Sequence, residues 1–167
     1  QERPIDIFFT KNHRIDQEIL KIVFSTKKSF KAALYDINFP KFVDALKVLK
    51  NNGISVQIVC DADAKKRSSV KALQTAGIPI VFDKKKFLMH HKFMVIDSNV
   101  IWTGSTNFTH TDLFFNRNNS IALYNPALAK IYENEFDLMF QKDDFQNQTP
   151  ASKSFFIGKL EVQAYFP

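Results

Sequence analysis

Short apolar segments with the period of a β-strand alternate in this chain with segments whose apolar residues recur at helical spacing. Ile5 to Phe9 and Ser55 to Cys60 are typical of buried strands. Asp16 to Phe24, and the segment that Pro40 opens, are typical of helices. Such alternation predicts an α/β fold, with a mixed, largely central β-sheet flanked by helices on both faces.

The alternation continues through the second half of the chain. Asp97-Ser98-Asn99 separates two short apolar runs, which predicts a hairpin. The other predicted elements are a helix from Val70 to Ala76, strands from Pro79 to Phe82 and Ser120 to Tyr124, and a helix from Pro126 to about Phe140.

Length and composition limit the classes of protein to which this chain can belong. The 167 residues fit one compact domain, and no apolar stretch approaches the roughly 20 residues that span a bilayer. Cys60 stands alone, which excludes an intrachain disulfide and a cysteine-rich zinc site. The first residue is Gln1 rather than Met, so we expect either a fragment or a chain trimmed of a leader, as in an exported protein.

The charge balance favours a polyanionic partner. Twenty-three Lys and Arg against seventeen Asp and Glu give a net charge of +6, and a basic surface binds phosphates with release of counterions. A solvated basic surface with no such partner is the alternative.

The end of the chain departs from the alternation. We predict a domain over residues 1–141 and a polar linker over residues 142–158. Residues 159–167, KLEVQAYFP, repeat the pattern of the opening PIDIFFT, an alternating strand that ends in aromatic residues. They are interpreted as the first strand of a second repeat.

The segment MHHKFMVIDSNVIWTGSTNFT, residues 89–109, concentrates polar chemistry around the predicted hairpin. Residues two apart on a strand share a face, so His90 and Lys92 project together while His91 points away. A turn through Gly104 and Ser105 brings the Asn107 amide towards the same place.

These side chains suit a phosphodiester substrate. A neutral imidazole attacks phosphorus or moves a proton near neutral pH, while an ammonium and an amide N–H stabilise the nonbridging oxygens. The segment lacks the carboxylates that hard cations require, so neither a metal site nor another cofactor is expected.

The segment resembles the HKD motif of the phospholipase D superfamily, H-x-K-x4-D followed by G-S-x-N. His90, Lys92 and Asp97 match the first part, and Gly104, Ser105 and Asn107 match the second. The resemblance covers roughly residues 5–140 and is greatest to the branch of small nucleases and related phosphodiesterases. It implies a phospholipase D-like sandwich, with His90, Lys92 and Asn107 as catalytic residues and Asp97, Gly104 and Ser105 in support.

The resemblance also implies a two-step reaction without metal at a site built from two facing motifs. One histidine attacks to form a phosphohistidine, and the other protonates the leaving oxygen and then activates water. This chain has one motif, so the second is expected from a C-terminal repeat or from an identical subunit.

Asn118 marks a departure from the family pattern. Many relatives carry N-R-E-N after the G-S-x-N element, with a Glu that orients the catalytic histidine, whereas this chain reads Asn116-Arg117-Asn118-Asn119. An amide positions an imidazole without stabilising its charged form, so weaker catalysis is expected.

Two further sets of residues are assigned from their position. Asp97 lies in the hairpin turn and is expected to brace that loop by hydrogen bonds. Lys84, Lys85 and Lys86 precede His90 and are predicted, with Phe108, to bind substrate.

The favoured function is a metal-independent, endonuclease-like hydrolase of phosphodiester bonds in DNA or RNA. The alternatives are a phospholipase D acting on phospholipid headgroups and a catalytically weak nucleic-acid-binding module. We favour the nucleic acid over a membrane lipid because no segment is convincingly an interfacial helix.

Overall fold

The structure, a computed structural model, describes residues 4–84, 88–145 and 154–166, and alternates strands with helices as predicted. Within these residues there are nine strands and five α-helices. The strands are β1 Ile5–Phe9, β2 Ser29–Leu34, β3 Ser55–Cys60, β4 Ile80–Phe82, β5 Lys92–Ile96, β6 Val100–Gly104, β7 Asn119–Tyr124, β8 Phe155–Ile157 and β9 Leu160–Val162. The helices are α1 Ile15–Ser25, α2 Pro40–Asn51, α3 Ser68–Thr75, α4 His110–Phe114 and α5 Pro126–Lys142, with a short 3-10 helix at Ala62–Lys66.

The first seven strands form one mixed sheet in the order β1-β7-β6-β5-β2-β3-β4. β3 is parallel to both of its neighbours, β2 and β4, and all other pairs in the sheet are antiparallel. β5 therefore lies in the middle, with three strands on either side. The predicted hairpin is confirmed as β5 and β6, joined by Asp97, Ser98 and Asn99.

Each face of the sheet is covered by helices, which confirms the predicted fold class. Met94 and Ile96 of β5 pack on the face covered by α1, α2 and α3. Phe93 and Val95, their neighbours on the same strand, pack on the face covered by α5. This alternation is what a strand buried on both faces requires.

Local signals explain where the helices begin and how α5 is held. α2 and α5 each begin with a proline, and the Asn125 side chain accepts a hydrogen bond of 2.9 Å from the N–H of Leu128 at the start of α5. An ion pair of 3.1 Å between Lys31 and Asp137 attaches α5 to the sheet.

Of the helices in the described residues, none has the length and hydropathy needed to cross a membrane.

The end of the chain forms a small hairpin, in which β8 pairs with β9. Residues 142–158 were predicted to be a linker, but α5 extends to Lys142 and β8 lies within that range. The difference arises because the apolar side chain of Ile157 is buried against the core beneath α5, as is that of Ala164. Interpretation of residues 159–167 as the start of a second repeat stays a prediction.

Candidate active site

The residues of the motif other than Asp97 meet at one edge of the seven-stranded sheet, which we call the site edge. It comprises the carboxyl ends of β1, β2, β3, β4 and β6 and the amino ends of β5 and β7. Lys92 begins β5 opposite Leu34 of β2, and Gly104 ends β6 opposite Ser120 of β7. The loop between β6 and β7 carries Ser105, Asn107 and Asn118, so the antiparallel register alone gathers the motif here.

His90 and Lys92 lie against the same aromatic ring. The His90 imidazole meets the Tyr35 ring edge to face, with 4.8 Å between ring centroids, and Lys92 Nζ lies 5.3 Å from the Tyr35 centroid. Lys92 Nζ also donates a hydrogen bond of 3.0 Å to the carbonyl oxygen of His90. His91 projects to the other face of the sheet, where its Nε2 lies 3.6 Å from Glu135 Oε1.

The surroundings favour a neutral imidazole beside a cation. Burial, together with the positive charge of Lys92, lowers the pKa of His90 below its usual value of 6.5, against the opposing charge of Asp61. Burial also lowers the pKa of Lys92, and the charge of Asp112 opposes that shift. The His90 side chain is exposed, and within the described residues neither of its ring nitrogens has a hydrogen-bond partner. A lone pair of this imidazole is therefore available to a substrate.

Asp112 connects Asn107 to this pair. It is 8% exposed, accepts a hydrogen bond of 2.9 Å from the backbone N–H of Asn107 and accepts another from the Asn116 side chain. The side-chain oxygen of Asn107 is buried and has no hydrogen-bond partner in the described part of the chain. Such an acceptor costs about 1–3 kcal/mol when left unpaired, so the Asn107 side chain is positioned through its backbone contact with Asp112 and not by its own oxygen.

Ser105 and Asn118 hold the loop closed across its base. Ser105 Oγ donates to Asn118 Oδ1 at 3.0 Å and accepts from the Asn119 backbone N–H at 3.0 Å. Asn118 Nδ2 donates to the carbonyl oxygen of Asp112 at 3.2 Å. Both ends of the Asn118 amide are thus used within the loop, and neither contacts His90.

Gly104 permits the close approach on which this loop depends. Its φ is +147°, and a Cβ at this position would collide with the carbonyl oxygen of Asn119. Only glycine fits such a contact without displacing the backbone of β7.

Asp97 lies away from the site edge and braces the opposite end of β5. Its carboxylate accepts hydrogen bonds of 2.7–2.9 Å from the backbone N–H groups of Lys27, Lys28 and Ser29. Burial alone would raise the pKa of Asp97, but these three donors together lower it. Four strand rises, about 13 Å, separate this end of β5 from Lys92, so Asp97 supports the hairpin without contact with the reacting group.

The structure places the predicted substrate-binding residues in different environments. Phe108 is completely buried and packs on Phe42, with 4.6 Å between centroids; its prediction as a substrate contact is wrong, because the loop turns this ring into the core. Lys84 lies at the site edge after β4, with its Nζ 2.5 Å from Asp143 Oδ2. Lys85 and Lys86 lie outside the described residues.

Three residues of the site were not predicted, namely Tyr35, Asp61 and Asp112. Asp61 accepts a hydrogen bond of 3.2 Å from the N–H of Met89 and so holds the segment that leads into His90. Tyr35 and Asp61 directly follow β2 and β3, and polar residues after apolar strands were the available signal. For Asp112 the signal was its spacing from Thr109, whose side chain caps α4.

The arrangement can carry nucleophilic chemistry at phosphorus. An exposed neutral imidazole supplies the nucleophile, and the ammonium of Lys92 with the Asn107 amide supplies donors for oxygens that gain charge. In the described part of the chain, no group of three His, Cys, Asp or Glu side chains is placed to hold a metal ion.

A family profile described as "Cardiolipin synthase, PLD-like domain" matches residues 19–140, which include the whole motif. The chain belongs to the phospholipase D superfamily. The matched region, residues 19–140, is its phospholipase D-like domain.

The mitochondrial cardiolipin hydrolase of Xenopus tropicalis is 30% identical to this chain over 143 residues. The match covers 84% of this chain and 66% of the frog protein, slightly less than two thirds of its length. The mitochondrial cardiolipin hydrolase of Mus musculus is 28% identical, and the match covers 62% of the mouse protein.

Two solved structures have the same fold. Nuc from Salmonella typhimurium, a phospholipase D family member, superposes with a TM-score of 0.76 at 24% identity, over 86% of this chain and 97% of its own. NucT from Helicobacter pylori gives a TM-score of 0.74 at 18% identity, over 82% and 95%. These similarities place the seven-stranded sheet and its helices in the phospholipase D fold.

Proposed function

We propose that this protein hydrolyses phosphodiester bonds in DNA or RNA, as a metal-independent endonuclease that works through a phosphohistidine. The observation that carries the proposal is the exposed His90 imidazole, which has a lowered pKa and lies beside Lys92 and Tyr35 at the site edge. An imidazole that is neutral at physiological pH needs no metal-bound water to supply the nucleophile.

In the first step, a ring nitrogen of the attacking histidine forms a bond to phosphorus while the bond from phosphorus to the leaving oxygen breaks. The second histidine gives its proton to that oxygen. Lys92 and Asn107 stabilise the nonbridging oxygens as their charge increases. In the second step, water loses a proton to the second histidine and attacks phosphorus, which releases the first histidine and the phosphate product.

The second histidine belongs to another motif, because His91 lies on the opposite face and pairs with Glu135. We assign that motif either to an identical subunit or to a second repeat. In both cases this chain supplies one of the two motifs that form a complete site, and we call its contribution the half-site. Asn118 supplies no carboxylate to it, since its amide is held by Ser105 and by the Asp112 carbonyl.

Charge supports a nucleic acid as the substrate. The chain carries +6 at pH 7, and a polymer of phosphodiesters gains affinity from each cation that it contacts, by release of counterions. Lys11 and Arg117, two exposed cations at the site edge, have no ion-pair partner among the described residues.

A lipid phosphodiester is the second candidate, because the family description and the names of the frog and mouse relatives refer to cardiolipin. The two substrates are distinguished by assays of one preparation on a labelled oligonucleotide and on vesicles that contain cardiolipin. Headgroup release from vesicles, with no cleavage of single- or double-stranded DNA or RNA at any salt concentration, would favour the lipid.

The test of the mechanism is His90→Ala beside His91→Gln, which changes the neighbouring histidine on the other face. We expect His90→Ala to lose at least about 10³-fold in cleavage rate while it still binds the oligonucleotide. His91→Gln should retain cleavage. Rapid quench of wild type with alkaline SDS, after mixing with substrate that carries ³²P at the scissile phosphate, should trap a phosphoenzyme that is stable in alkali and labile in acid.

A chelator separates this mechanism from metal-assisted hydrolysis. Cleavage should be unchanged by EDTA. Inhibition by EDTA that a divalent ion reverses would contradict the metal-free reaction, and binding without cleavage by wild type would leave a nucleic-acid-binding module.

A further inference from the structure

A cavity of about 280 Å³ lies at the site edge between the end of β1 and the beginning of β7. Its lining combines an aromatic ring, two cations and amide side chains, from Phe9, Lys11, Arg117, Asn12 and Asn118. Phe9 is 50% exposed although aromatic. The volume is just below the roughly 300–1,000 Å³ of small-molecule pockets, so the cavity accommodates one small unit of a larger ligand.

The walls of the cavity are held to each other by hydrogen bonds. Thr10 N–H donates to the carbonyl of Asn118 at 3.0 Å, and Asn118 N–H donates to Thr10 Oγ1 at 2.9 Å. Thr10 Oγ1 also donates to the Asn116 carbonyl at 2.7 Å. The cavity is therefore formed by the folded chain before any ligand arrives.

The cations that line the cavity differ in their ion pairing from the cations at the other end of the site edge. There, Arg67 makes a two-pronged hydrogen bond to Asp36, and Lys84 pairs with Asp143. Lys11 and Arg117 are exposed and have no carboxylate partner within the described residues. Two unpaired cations around one cavity favour an anionic ligand.

The distance from the cavity to His90 and Lys92 indicates the size of the anionic ligand that could occupy both places. β1 lies three strands from β5 in the sheet order, which is about 14 Å at the spacing of neighbouring strands. That distance equals about four nucleotide rises of a stacked strand. A single phosphodiester bound at His90 does not extend so far, whereas a nucleic acid does.

We propose that this cavity is a subsite for a nucleotide several positions from the bond that is cleaved, with its phosphate between Lys11 and Arg117 and its base against Phe9. The inference rests on the proposed function and specifies how the polymer lies, along the site edge from β5 towards β1. Aromatic rings bind bases of any sequence by stacking, so the subsite adds affinity and sets a minimum substrate length.

The test uses the double variant Lys11→Ala/Arg117→Ala and the matched double variant Lys71→Ala/Lys130→Ala, which removes the same charge from exposed positions on α3 and α5. Binding of a fluorescent single-stranded 12-mer is measured in the His90→Ala background over a range of salt. Cleavage of the 12-mer, of a dinucleotide and of bis(p-nitrophenyl) phosphate is measured with His90 intact.

We expect the Lys11/Arg117 variant to bind the 12-mer at least about tenfold more weakly at 0.15 M salt, with a salt slope smaller by about 1.4. Its KM for the 12-mer should rise equally, with kcat and both short substrates unchanged. Phe9→Leu, which keeps an apolar side chain without a ring face, should weaken 12-mer binding about fivefold or more. The matched variant should show the smaller loss of a nonspecific charge effect.

Equal losses in the two double variants would overturn the subsite, and so would a parallel loss on bis(p-nitrophenyl) phosphate. Failure of the proposed function looks different: wild type would then cleave no nucleic acid. The binding measurement in the His90→Ala background would still decide whether the subsite exists.

Discussion

At the scale of single residues, Asp112 gives the loop after the motif its negative charge. It accepts the backbone N–H of Asn107, and its charge raises the pKa of Lys92 against the effect of burial. Asn118, at the position where the resemblance places a glutamate, is an amide and carries no charge. We therefore propose that Asp112 is a positioning residue for Lys92 and Asn107.

Asp112→Asn should change the pH dependence of activity. Loss of this charge lowers the pKa of Lys92 further, and Lys92 acts as a cation, so the alkaline limb of kcat/KM should move to lower pH. Above that limb, activity should fall about tenfold for each pH unit of movement. The acidic limb, set by the lowered pKa of His90, should remain below pH 6.5.

The measurement is a pH profile on bis(p-nitrophenyl) phosphate, with Asp44→Asn as control because Asp44 is 71% exposed and pairs with Lys47 on α2. A uniform loss at every pH, together with a lower melting temperature, would give Asp112 a purely structural role.

The spacing of His90, Lys92 and Asn107 predicted that they lie close together because all three come from one hairpin and the segments that flank it. Tyr35 and Asp61 come from distant strands, and their place depends on the order β6-β5-β2-β3, which no local spacing encodes. Phe108 was wrongly placed because proximity in sequence to Asn107 does not fix the direction of a side chain in an irregular loop.

At the scale of elements, the contact between β6 and β7 depends on Gly104. Gly104→Ala combines a disfavoured φ with a backbone collision at Asn119, so we expect a loss of about 3 kcal/mol or more in the free energy of unfolding. Gly53 also has a positive φ, +78°, which disfavours alanine, but no atom lies within 4 Å of the new Cβ in Gly53→Ala. It should cost only about 1–2 kcal/mol.

Urea unfolding of the two variants measures the difference. Since Gly104 lies beside the site, its variant should also lose cleavage under conditions where it remains folded, whereas Gly53→Ala should retain it. Equal destabilisation by both substitutions would show that the close approach of β6 and β7 does not contribute to the free energy of unfolding.

Elements were predicted well where hydrophobic period and end signals agreed. Pro40 and Pro126 marked the beginnings of α2 and α5, and Asp97-Ser98-Asn99 marked the hairpin turn. β9 lies within residues 159–167, which were predicted to form a strand, but its pairing with β8 was not predicted. The hairpin is stabilised by burial of Ile157 and Ala164 against the α5 face, a tertiary contact that no local pattern encodes.

At the scale of the whole molecule, the proposed reaction needs a second histidine besides His90. If an identical subunit supplies it, the protein should be a dimer in solution, and every active centre should need His90 from both chains. Light scattering gives the mass, and mixing of wild type with His90→Ala gives the second measurement. After subunit exchange in an equimolar mixture, wild-type pairs fall from half to about a quarter of all dimers, so activity should halve.

Activity that does not change on exchange would contradict a site shared between subunits. A fully active monomer of 19.3 kDa would contradict it as well. An inactive monomer that gains activity when a second repeat is attached would assign the missing motif to a longer chain.

The central place of β5 has a consequence for how the site survives thermal fluctuation. Because β2 and β6 bond β5 on both sides, and each face is buried, we expect its amide protons to be among the slowest to exchange with solvent. β1 lies at the border of the sheet, where we expect fraying. By this expectation, Lys92 is anchored in one of the last parts of the protein to open, while the strand that carries Phe9 is among the first.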